Sequence, residues 1–449
     1  MRLRVLVTVF ALVLAACAPS GPAASSAPTA APSAAASAAA ATPAPEPAVT
    51  VTFWHGQSGV LGDRLKTLVD KFNASHKVQV NASFQGSYTG SELQTKLLSA
   101  VQAGNPPDMA QLTGASDVAQ FYKAKAIVPI QQLVDGPNGL TKDQLADFVP
   151  SFLDDNSLPI NGKSTLVSWP LSKSESVMYY NPDILKAAGV SVPKTWDEFR
   201  AALKTVKEKT SFTPMAWTPS IFDMFLPQLY AAGGSPLSAD LTKATFNSPE
   251  GVAALQYEAD LVNVDKTVTV TKGFDWQDPF AQGKVAFAIS TNVSIPYIQQ
   301  AMPKGKTFQL GMAPLPAGAK GSKTSLYGNN VVIFAKAAPD HQLGAWIFLK
   351  WLTDTDQTVA WSLASGYMPL RTSAKNSTEF KAAAEKDPRL LIPLDAATGA
   401  VGSPKSPDFP KIQGPLGDAI TAAILGKSTP KAALDDAAKK ANDILSGGY

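Results

Sequence analysis

Hydrophobic and polar positions in the first part of the chain follow two alternating patterns. Residues 50–54 and 78–84 carry apolar side chains at every second position, which predicts β-strands, and the run at 107–112 predicts a third. Between them, residues 61–72 and 93–101 place apolar side chains at helical spacing. The order strand–helix–strand–helix–strand predicts a parallel sheet with helices on its faces, and so an α/β fold.

The second half of the body continues this mixture of strands and helices. In the helix predicted at 193–209, Thr195 is the N-cap and Glu198 follows three residues later, which is a capping box. The other predictions are two short strands within 165–181, a helix end, turn and buried strand over 280–291, a helix over 344–354, and helices over 380–446 interrupted by a proline-rich segment near 403–415.

The N-terminus has the composition of an export signal. Arg2 and Arg4 precede an apolar run over 5–14, which is too short to span a membrane as a helix. The ending Leu-Ala-Ala-Cys resembles a bacterial lipobox, so residues 1–16 are expected to be removed and Cys17 lipidated. The alternative is an ordinary signal peptide ending near a cysteine. Residues 17–48 are rich in Ala, Pro and Ser, and we expect a disordered tether to a membrane.

Charge and composition exclude several partners. The chain has 449 residues and 45% hydrophobic content, enough for two domains. Its 39 basic residues fall to 37 without Arg2 and Arg4, against 36 acidic residues, and the basic residues form no dense run. Nucleic acid is therefore not an expected partner. Beyond the signal, no apolar run reaches the roughly 20 residues of a spanning helix.

The sequence gives little support for a catalytic or a metal-binding motif. The three histidines, His55, His76 and His341, form no HExxH motif, and neither a GxSxG elbow nor a phosphate loop is present. Pro430 interrupts the S-x-x-K at Ser428. The neighbouring acids Asp154 and Asp155 are expected to be solvated surface. We expect no metal and no cofactor, while a secreted carbohydrate-active enzyme or a scaffold lipoprotein remain alternatives.

Aromatic side chains are frequent beside predicted loops. Sugar rings stack on aromatic faces, and small polar groups take their hydroxyls, so the set favours a saccharide site, although core packing is the commoner role of any single aromatic. Trp54 and His55 end the first strand, where ligands of parallel sheets bind. The full set is Trp54, Tyr88, Trp169, Trp217, Trp276, Tyr327 and Tyr367.

Several stretches together resemble the family 1 extracellular solute-binding proteins, the capture subunits of ABC importers. They are TFWHG, KFNAS, FQGSY, AGNPPDMAQL, VMYYNPDILKAAG, PKTWDEF, FAQGKVAFAIST, SLYGNN and SGYMPLR. The resemblance is nearest to the sn-glycerol-3-phosphate-binding branch. It implies a two-lobed, type II-like periplasmic-binding-protein fold with a hinge and a central cleft. The lobes are expected at 49–160 plus 290–340 and at 161–289 plus 341–449. A monomer that works with a membrane permease, on the outer side of the cytoplasmic membrane, is implied as well.

The resemblance also implies which residues hold the ligand. Together with the strand-end residues, the expected contacts are Trp54, His55, Tyr88, Ser174, Trp217, Trp276, Asn292, Tyr327, Gly328, Asn329, Tyr367 and Gln413. Two positions depart from the branch: its glutamate falls near Thr113 and Gly114, and its arginine at Gln413. Lys173 could replace that charge, but it is expected to be an exposed lysine. A neutral mono- or oligosaccharide is therefore expected, and glycerol 3-phosphate or a glycerophosphodiester is the alternative.

Overall fold

The computed structural model describes residues 43–87, 92–305 and 308–447. The predicted signal peptide, Cys17, most of the predicted tether and Tyr88 lie outside these ranges. Residues 43–48 belong to the segment predicted to be disordered, yet they are fixed to the body. The backbone of Ala44 exchanges two hydrogen bonds with the side chain of Asn138, and the Glu46 carboxylate accepts from the backbone N–H of Val78. The tether prediction therefore extended too far into the chain.

Helices alternate with strands along most of the described chain. They are α1 (Gly59–Asn73), α2 (Glu92–Gln102), α3 (Gly114–Lys123), α4 (Gln131–Val134), α5 (Lys142–Ala146), α6 (Pro150–Asp155), α7 (Pro182–Ala188), α8 (Trp196–Lys209), α9 (Leu226–Ala232), α10 (Pro249–Asn263), α11 (Gln277–Ala281), α12 (Ile295–Ala301), α13 (Pro339–Leu352), α14 (Thr355–Ser365), α15 (Thr378–Lys386), α16 (Ile392–Ala396), α17 (Phe409–Ile424) and α18 (Pro430–Leu445). A π-helical turn, Ile221–Phe225, precedes α9. Across the described ranges, no helix combines the length and the apolar character needed to cross a membrane.

The strands are β1 (Thr50–His55), β2 (Gln79–Phe84), β3 (Met109–Thr113), β4 (Ser157–Ile160), β5 (Lys163–Leu166), β6 (Trp169–Tyr180), β7 (Thr213–Trp217), β8 (Val268–Val270), β9 (Val285–Thr291), β10 (Gly311–Ala313), β11 (Ala317–Gly318), β12 (Gly321–Ser322), β13 (Thr324–Ile333) and β14 (Ala400–Val401). Ten of those described form one sheet in the order β2-β1-β3-β13-β6-β9-β7-β8, with β10 added on β6 and β14 on β13.

The sheet is parallel at both ends and antiparallel in the middle. The β1–β2 and β1–β3 pairs are parallel, as predicted, and so are β7–β9 and β7–β8. The pairs β13–β3, β13–β6 and β6–β9 are antiparallel. The α/β prediction is confirmed, but the sheet is mixed rather than wholly parallel. The strands β6 and β13 join the two parallel parts.

Two large hydrophobic cores lie on either side of this junction, as expected of a two-lobed fold. The strand β6 contributes Trp169 and Leu171 to the first core and Met178 to the second. The first core also takes in Phe53 of β1 and Trp346 of α13, while the second takes in α10, α17 and α18.

The cores divide the chain differently from the predicted lobe boundaries. Residues between Ala345 and Ala397 pack in the first core, although 341–449 was assigned to the second lobe. The helix α13 approaches β1 this closely because Gly344 has no side chain. A Cβ there would lie 3.1 Å from a methyl group of Val49 and 3.2 Å from one of Val51.

Local signals placed most elements correctly, with three departures. Thr195 caps α8 as predicted by accepting from the Glu198 N–H, whereas the Glu198 carboxylate accepts from the N–H of Lys194. The two strands predicted within 165–181 are instead the end of β5 and the 12-residue strand β6. The helix α17 begins at Phe409 and contains Pro415, so the proline-rich interruption is shorter than predicted.

Candidate ligand-binding site

A row of polar side chains crosses one face of the sheet where the two lobes join. Directly opposed residues of antiparallel strands share a face, so the register places these side chains together. Thr113 of β3 lies opposite Asn329 of β13, Tyr327 of β13 opposite Ser174 of β6, and Ser176 of β6 opposite Thr291 of β9. We call the six residues Thr113, Ser174, Ser176, Thr291, Tyr327 and Asn329 the polar row. It unites three of the predicted contacts, Ser174, Tyr327 and Asn329.

The carboxyl group of Asp223 lies over the middle of the polar row. The Tyr327 hydroxyl donates to Asp223 Oδ1 at 2.6 Å, and the Ser176 hydroxyl donates to the same oxygen at 2.9 Å. Burial raises the pKa of Asp223, and the hydrogen bonds from Tyr327, Ser176 and Ser220 offset part of that rise. The sequence analysis missed Asp223. Its signal was a single acid inside the apolar run Ile-Phe-Asp-Met-Phe.

Aromatic rings adjoin this carboxyl group. The ring of Phe222 lies 5.8 Å from that of Tyr327 and 6.4 Å from that of Phe409. Phe409 begins α17, and the predicted contact Gln413 follows one turn later, partly exposed. These rings come from the π-helical turn, from β13 and from α17. The site therefore combines a carboxyl group, hydroxyl groups and aromatic edges from three separate parts of the chain.

Two buried side chains at the junction of the lobes have no hydrogen-bond partner among the residues that the structure describes. The amide oxygen and nitrogen of Asn329 are both buried and unpaired, and so are the two carboxyl oxygens of Glu175. Leaving a buried polar group unpaired costs about 1–3 kcal/mol. Burial raises the pKa of Glu175 to about 9, so this carboxyl group is protonated at neutral pH. Such groups are unusual in folded proteins, and sites that accept a ligand are one place where they occur.

Asn292 and Gly328 occupy positions that hold the junction together. The Asn292 side chain accepts from the N–H of Glu175 at 2.8 Å and donates to the carbonyl of Gly366 at 2.7 Å, so both ends of its amide are engaged. Gly328 has a φ of +134°, and a Cβ there would collide with the carbonyl of Ser172. Tyr367 follows Gly366 and packs in the first core.

Three tryptophans predicted to contact ligand lie elsewhere. Trp217 is 2% exposed in the second core, and Trp276 is 3% exposed with its ring stacked on Tyr179 at 6.3 Å. Trp54 alternates with the buried Phe53 and packs on a smaller core on the opposite face of the sheet. Trp54 and Trp276 therefore pack in cores other than those that flank the polar row, and Trp217 is enclosed in the second core.

His55 lies on the same face as Phe53 and lines a depression of about 380 Å³ between α1 and β2. The depression is also lined by Gln57, Asn81 and Phe84. His55 Nδ1 accepts from the N–H of Gln57, and burial lowers its pKa to about 4, so the ring is neutral at pH 7. The third predicted group at this end of the sheet, Tyr88, is outside the described residues.

The burial of Lys173 contradicts its predicted exposure most clearly. It was expected to be exposed, but it is fully buried and donates to Asp155 at 2.5 Å and to Asn330 at 2.6 Å. Asp155, expected on the surface, is buried with it, whereas Asp154 is exposed and pairs with Lys405. The Lys173 charge is thus already neutralised by Asp155 and does not reach the polar row.

Comparison with known proteins agrees with this two-lobed architecture. A family model described as bacterial extracellular solute-binding protein matches residues 67–388, which is more than half of the chain. The chain belongs to the bacterial extracellular solute-binding proteins. As a member of that family it is a solute-binding protein of an ABC importer, and its partner is a permease. Its location is extracellular or periplasmic.

Two kinds of relative of this solute-binding protein stand out. The sn-glycerol-3-phosphate-binding periplasmic protein UgpB of Pectobacterium atrosepticum is 25% identical over 420 residues, covering 89% of this chain and 91% of that protein. The cyclic alpha-maltosyl-1,6-maltose binding protein of Arthrobacter globiformis is 26% identical with a TM-score of 0.75, covering 89% and 99% of the two chains. UgpB of Mycobacterium tuberculosis, in complex with glycerophosphocholine, has the same fold with a TM-score of 0.74 at 20% identity, covering 89% and 99%.

Proposed function

We propose that this solute-binding protein captures a neutral mono- or oligosaccharide at the polar row and delivers it to the permease. The observation that carries the proposal is the charge of the site. None of the six residues of the polar row is cationic, and Lys173 is paired with Asp155. Gln413 stands where the resemblance to the glycerol-phosphate branch implies an arginine. Recognition of a phosphate requires a positive partner, preferably a bidentate one.

Hydroxyl groups of a saccharide match the unpaired groups of the site. A sugar hydroxyl is both a donor and an acceptor, so it can pair with either end of the Asn329 amide. The partly exposed rings of Phe222 and Tyr327 offer apolar surface to the C–H face of a sugar. The strands β6 and β13 lie between the two cores, so a ligand bound there contacts both lobes and favours the closed arrangement.

Differential scanning fluorimetry against a ligand panel tests the proposal. A ligand present at 100 times its dissociation constant stabilises the folded protein by about 2.7 kcal/mol, which raises the unfolding temperature measurably. We expect such a shift with a neutral saccharide, and a smaller shift for Tyr327→Phe. Tyr297→Phe, a change at an exposed tyrosine on α12, is the matched control. A shift with glycerol phosphate or glycerophosphocholine, and none with any saccharide, would contradict the neutral-sugar assignment.

A glycerophosphodiester is the second candidate ligand. It is favoured by the curated relatives named sn-glycerol-3-phosphate-binding protein, which match this chain over 88–89% of its length at 24–25% identity. An enzymatic role has less support, since Asp154 and Asp155 are each held in an ion pair. Incubation with labelled oligosaccharide should return the ligand unchanged.

We also propose that Cys17 carries the lipid anchor, on the strength of the Leu-Ala-Ala-Cys sequence. Phase partitioning in a detergent that separates on warming tests this proposal. The protein made with its own leader should enter the detergent phase, and the Cys17→Ala variant should stay in the aqueous phase. Equal partitioning of the two forms would refute lipidation at this cysteine.

A further inference from the structure

We infer that Asp223 determines the specificity of the site, by accepting hydrogen bonds from the hydroxyl groups of a neutral saccharide and by excluding phosphate esters. This inference rests on the proposed function, because it concerns the selectivity of the same site. The comparisons and the sequence motifs assign no role to this residue.

The position of Asp223 is costly for the fold, which is the first argument for a role in binding. Its neighbours in the π-helical turn, Ile221, Met224 and Phe225, are buried in the second core. A carboxyl group among them is unfavourable unless it is well paired. In the described part of the chain, Asp223 takes part in no ion pair and is held by hydroxyl groups instead. π-helical turns occur frequently at functional sites.

The geometry leaves room for a ligand on the same carboxylate. A carboxylate offers about four acceptor positions. Tyr327 and Ser176 both donate to Oδ1 and Ser220 supplies a third hydrogen bond, so about one position is left for a ligand. The residue as a whole is partly exposed. The hydroxyl groups of Tyr327 and Ser176 come from β13 and β6, so Asp223 is fixed relative to both strands of the junction. It is therefore a preorganised acceptor in the middle of the polar row.

The chemistry of this acceptor separates the two candidate ligand classes. A sugar hydroxyl donates to a carboxylate in a charge-assisted hydrogen bond. The oxygens of a phosphate diester carry no proton at neutral pH, so they cannot donate to Asp223, and they are repelled wherever its carboxyl group is ionised. The nearest buried cation on β6, Lys173, cannot compensate, because it is bonded to Asp155 and Asn330.

Isothermal titration with Asp223→Asn tests the inference, since this change removes the charge and keeps the size. Maltose and maltotriose serve as neutral probes, and glycerol 3-phosphate and glycerophosphocholine as phosphate probes. We expect the variant to lose at least tenfold in affinity for the saccharide that the unchanged protein binds, and to gain at least tenfold for a phosphate ester. Asp278→Asn, on the surface of α11, is the control for a change in net charge and should alter neither affinity.

The outcomes for the inference and for the proposed function are distinct. Saccharide binding by the unchanged protein supports the function. If Asp223→Asn then keeps both affinities within twofold at an unchanged unfolding temperature, the inference is wrong and the function stands. If the unchanged protein binds phosphate esters and no saccharide, both are wrong. Should Asp223→Asn fail to fold, Asp223→Ser retains a hydroxyl partner for Tyr327, and the same two affinity ratios decide.

Discussion

Lys173 and Asp155 form an ion pair in the interior of the protein, with 2.5 Å between Nζ and Oδ2 and side chains that are 0% and 3% exposed. The amide oxygen of Asn330 accepts a further bond from the same ammonium group. Burial lowers the pKa of Lys173, and the charge of Asp155 raises it. The pair joins α6 to β6 and, through Asn330, to β13.

Removing one member of this pair should be far more damaging than removing an exposed acid next to it. Asp155→Asn leaves a buried ammonium group without its counter-charge, which typically costs about 3–5 kcal/mol. Asp154→Asn breaks a pair whose carboxylate is exposed, so its cost should stay below about 1 kcal/mol. Urea unfolding at neutral pH measures both changes in the free energy of unfolding. Equal changes in the free energy of unfolding for the two variants would show that the buried pair contributes no more to stability than the exposed pair.

The Glu175 carboxyl group should make the protein less stable as the pH rises. Its pKa in the folded state is about 9, above the ordinary value of 4.5, so the folded state retains a proton that the unfolded chain releases. The contribution of this group to the free energy of unfolding is therefore fully present below pH 4.5, and it decreases as the pH rises to 9. At pH 7.5 the loss amounts to about 4 kcal/mol, at 1.36 kcal/mol for each pH unit.

Glu175→Gln isolates that contribution, since the amide is neutral at every pH. We expect the variant to be more stable than the unchanged protein at pH 7.5 and the difference to shrink towards pH 4.5. Urea unfolding at a series of pH values measures it, with Glu208→Gln on the surface of α8 as the control. Parallel stability curves for Glu175→Gln and the unchanged protein would contradict the shifted pKa.

Local signals in the sequence were sufficient for elements whose two faces differ. The helix α1 and the strand β1 were predicted correctly because their buried side chains recur at helical or alternating spacing. The strand β6 is almost entirely buried on both faces, and its Ser-Lys-Ser-Glu-Ser run has no apolar alternation. No local pattern therefore marks it as one long strand.

The site was harder to predict because its geometry depends on contacts distant in sequence. Ser174 and Tyr327 meet through strand register, more than 150 positions apart. The burial of Lys173 depends on Asp155 and Asn330, and that of Trp276 on its stacking with Tyr179. A residue type at a predicted loop does not reveal such partners, which is why the lysine and the tryptophan were placed wrongly.

His55 should give the opposite dependence on pH. The pKa of His55 in the folded state is about 4, below the ordinary value of 6.5. Between these two pH values the unfolded chain therefore binds a proton that the folded state does not bind. The contribution of neutral His55 to the free energy of unfolding is fully present above pH 6.5. It falls by about 3 kcal/mol as the pH is lowered to 4. The variant His55→Gln should remove this part of the acid destabilisation, which urea unfolding at a series of pH values measures. If the variant keeps the full acid dependence, burial does not lower the pKa of His55 in the folded protein.

Replacing Gly328 by a residue with a side chain should destabilise the protein for two reasons. One is its backbone angle, and the other is its close contact with the neighbouring strand. Its φ of +134° is unfavourable for other residues, and an added Cβ would strike the backbone carbonyl of Ser172 on the neighbouring strand. Gly328→Ala must therefore push β13 away from β6 at the polar row. We expect a loss of several kcal/mol in the free energy of unfolding, about 2–4 by analogy with overpacked cores and strained backbones, together with weaker ligand binding.

Gly162→Ala supplies the matched comparison for this prediction. Gly162 also has a positive φ, +74°, but a Cβ there meets nothing within 4 Å. Its substitution should cost about 1 kcal/mol of backbone strain and leave ligand affinity unchanged. Thermal unfolding and titration of both variants separate strain from collision. If Gly328→Ala behaves like Gly162→Ala in both measurements, the close approach of β13 and β6 is not needed to shape the site.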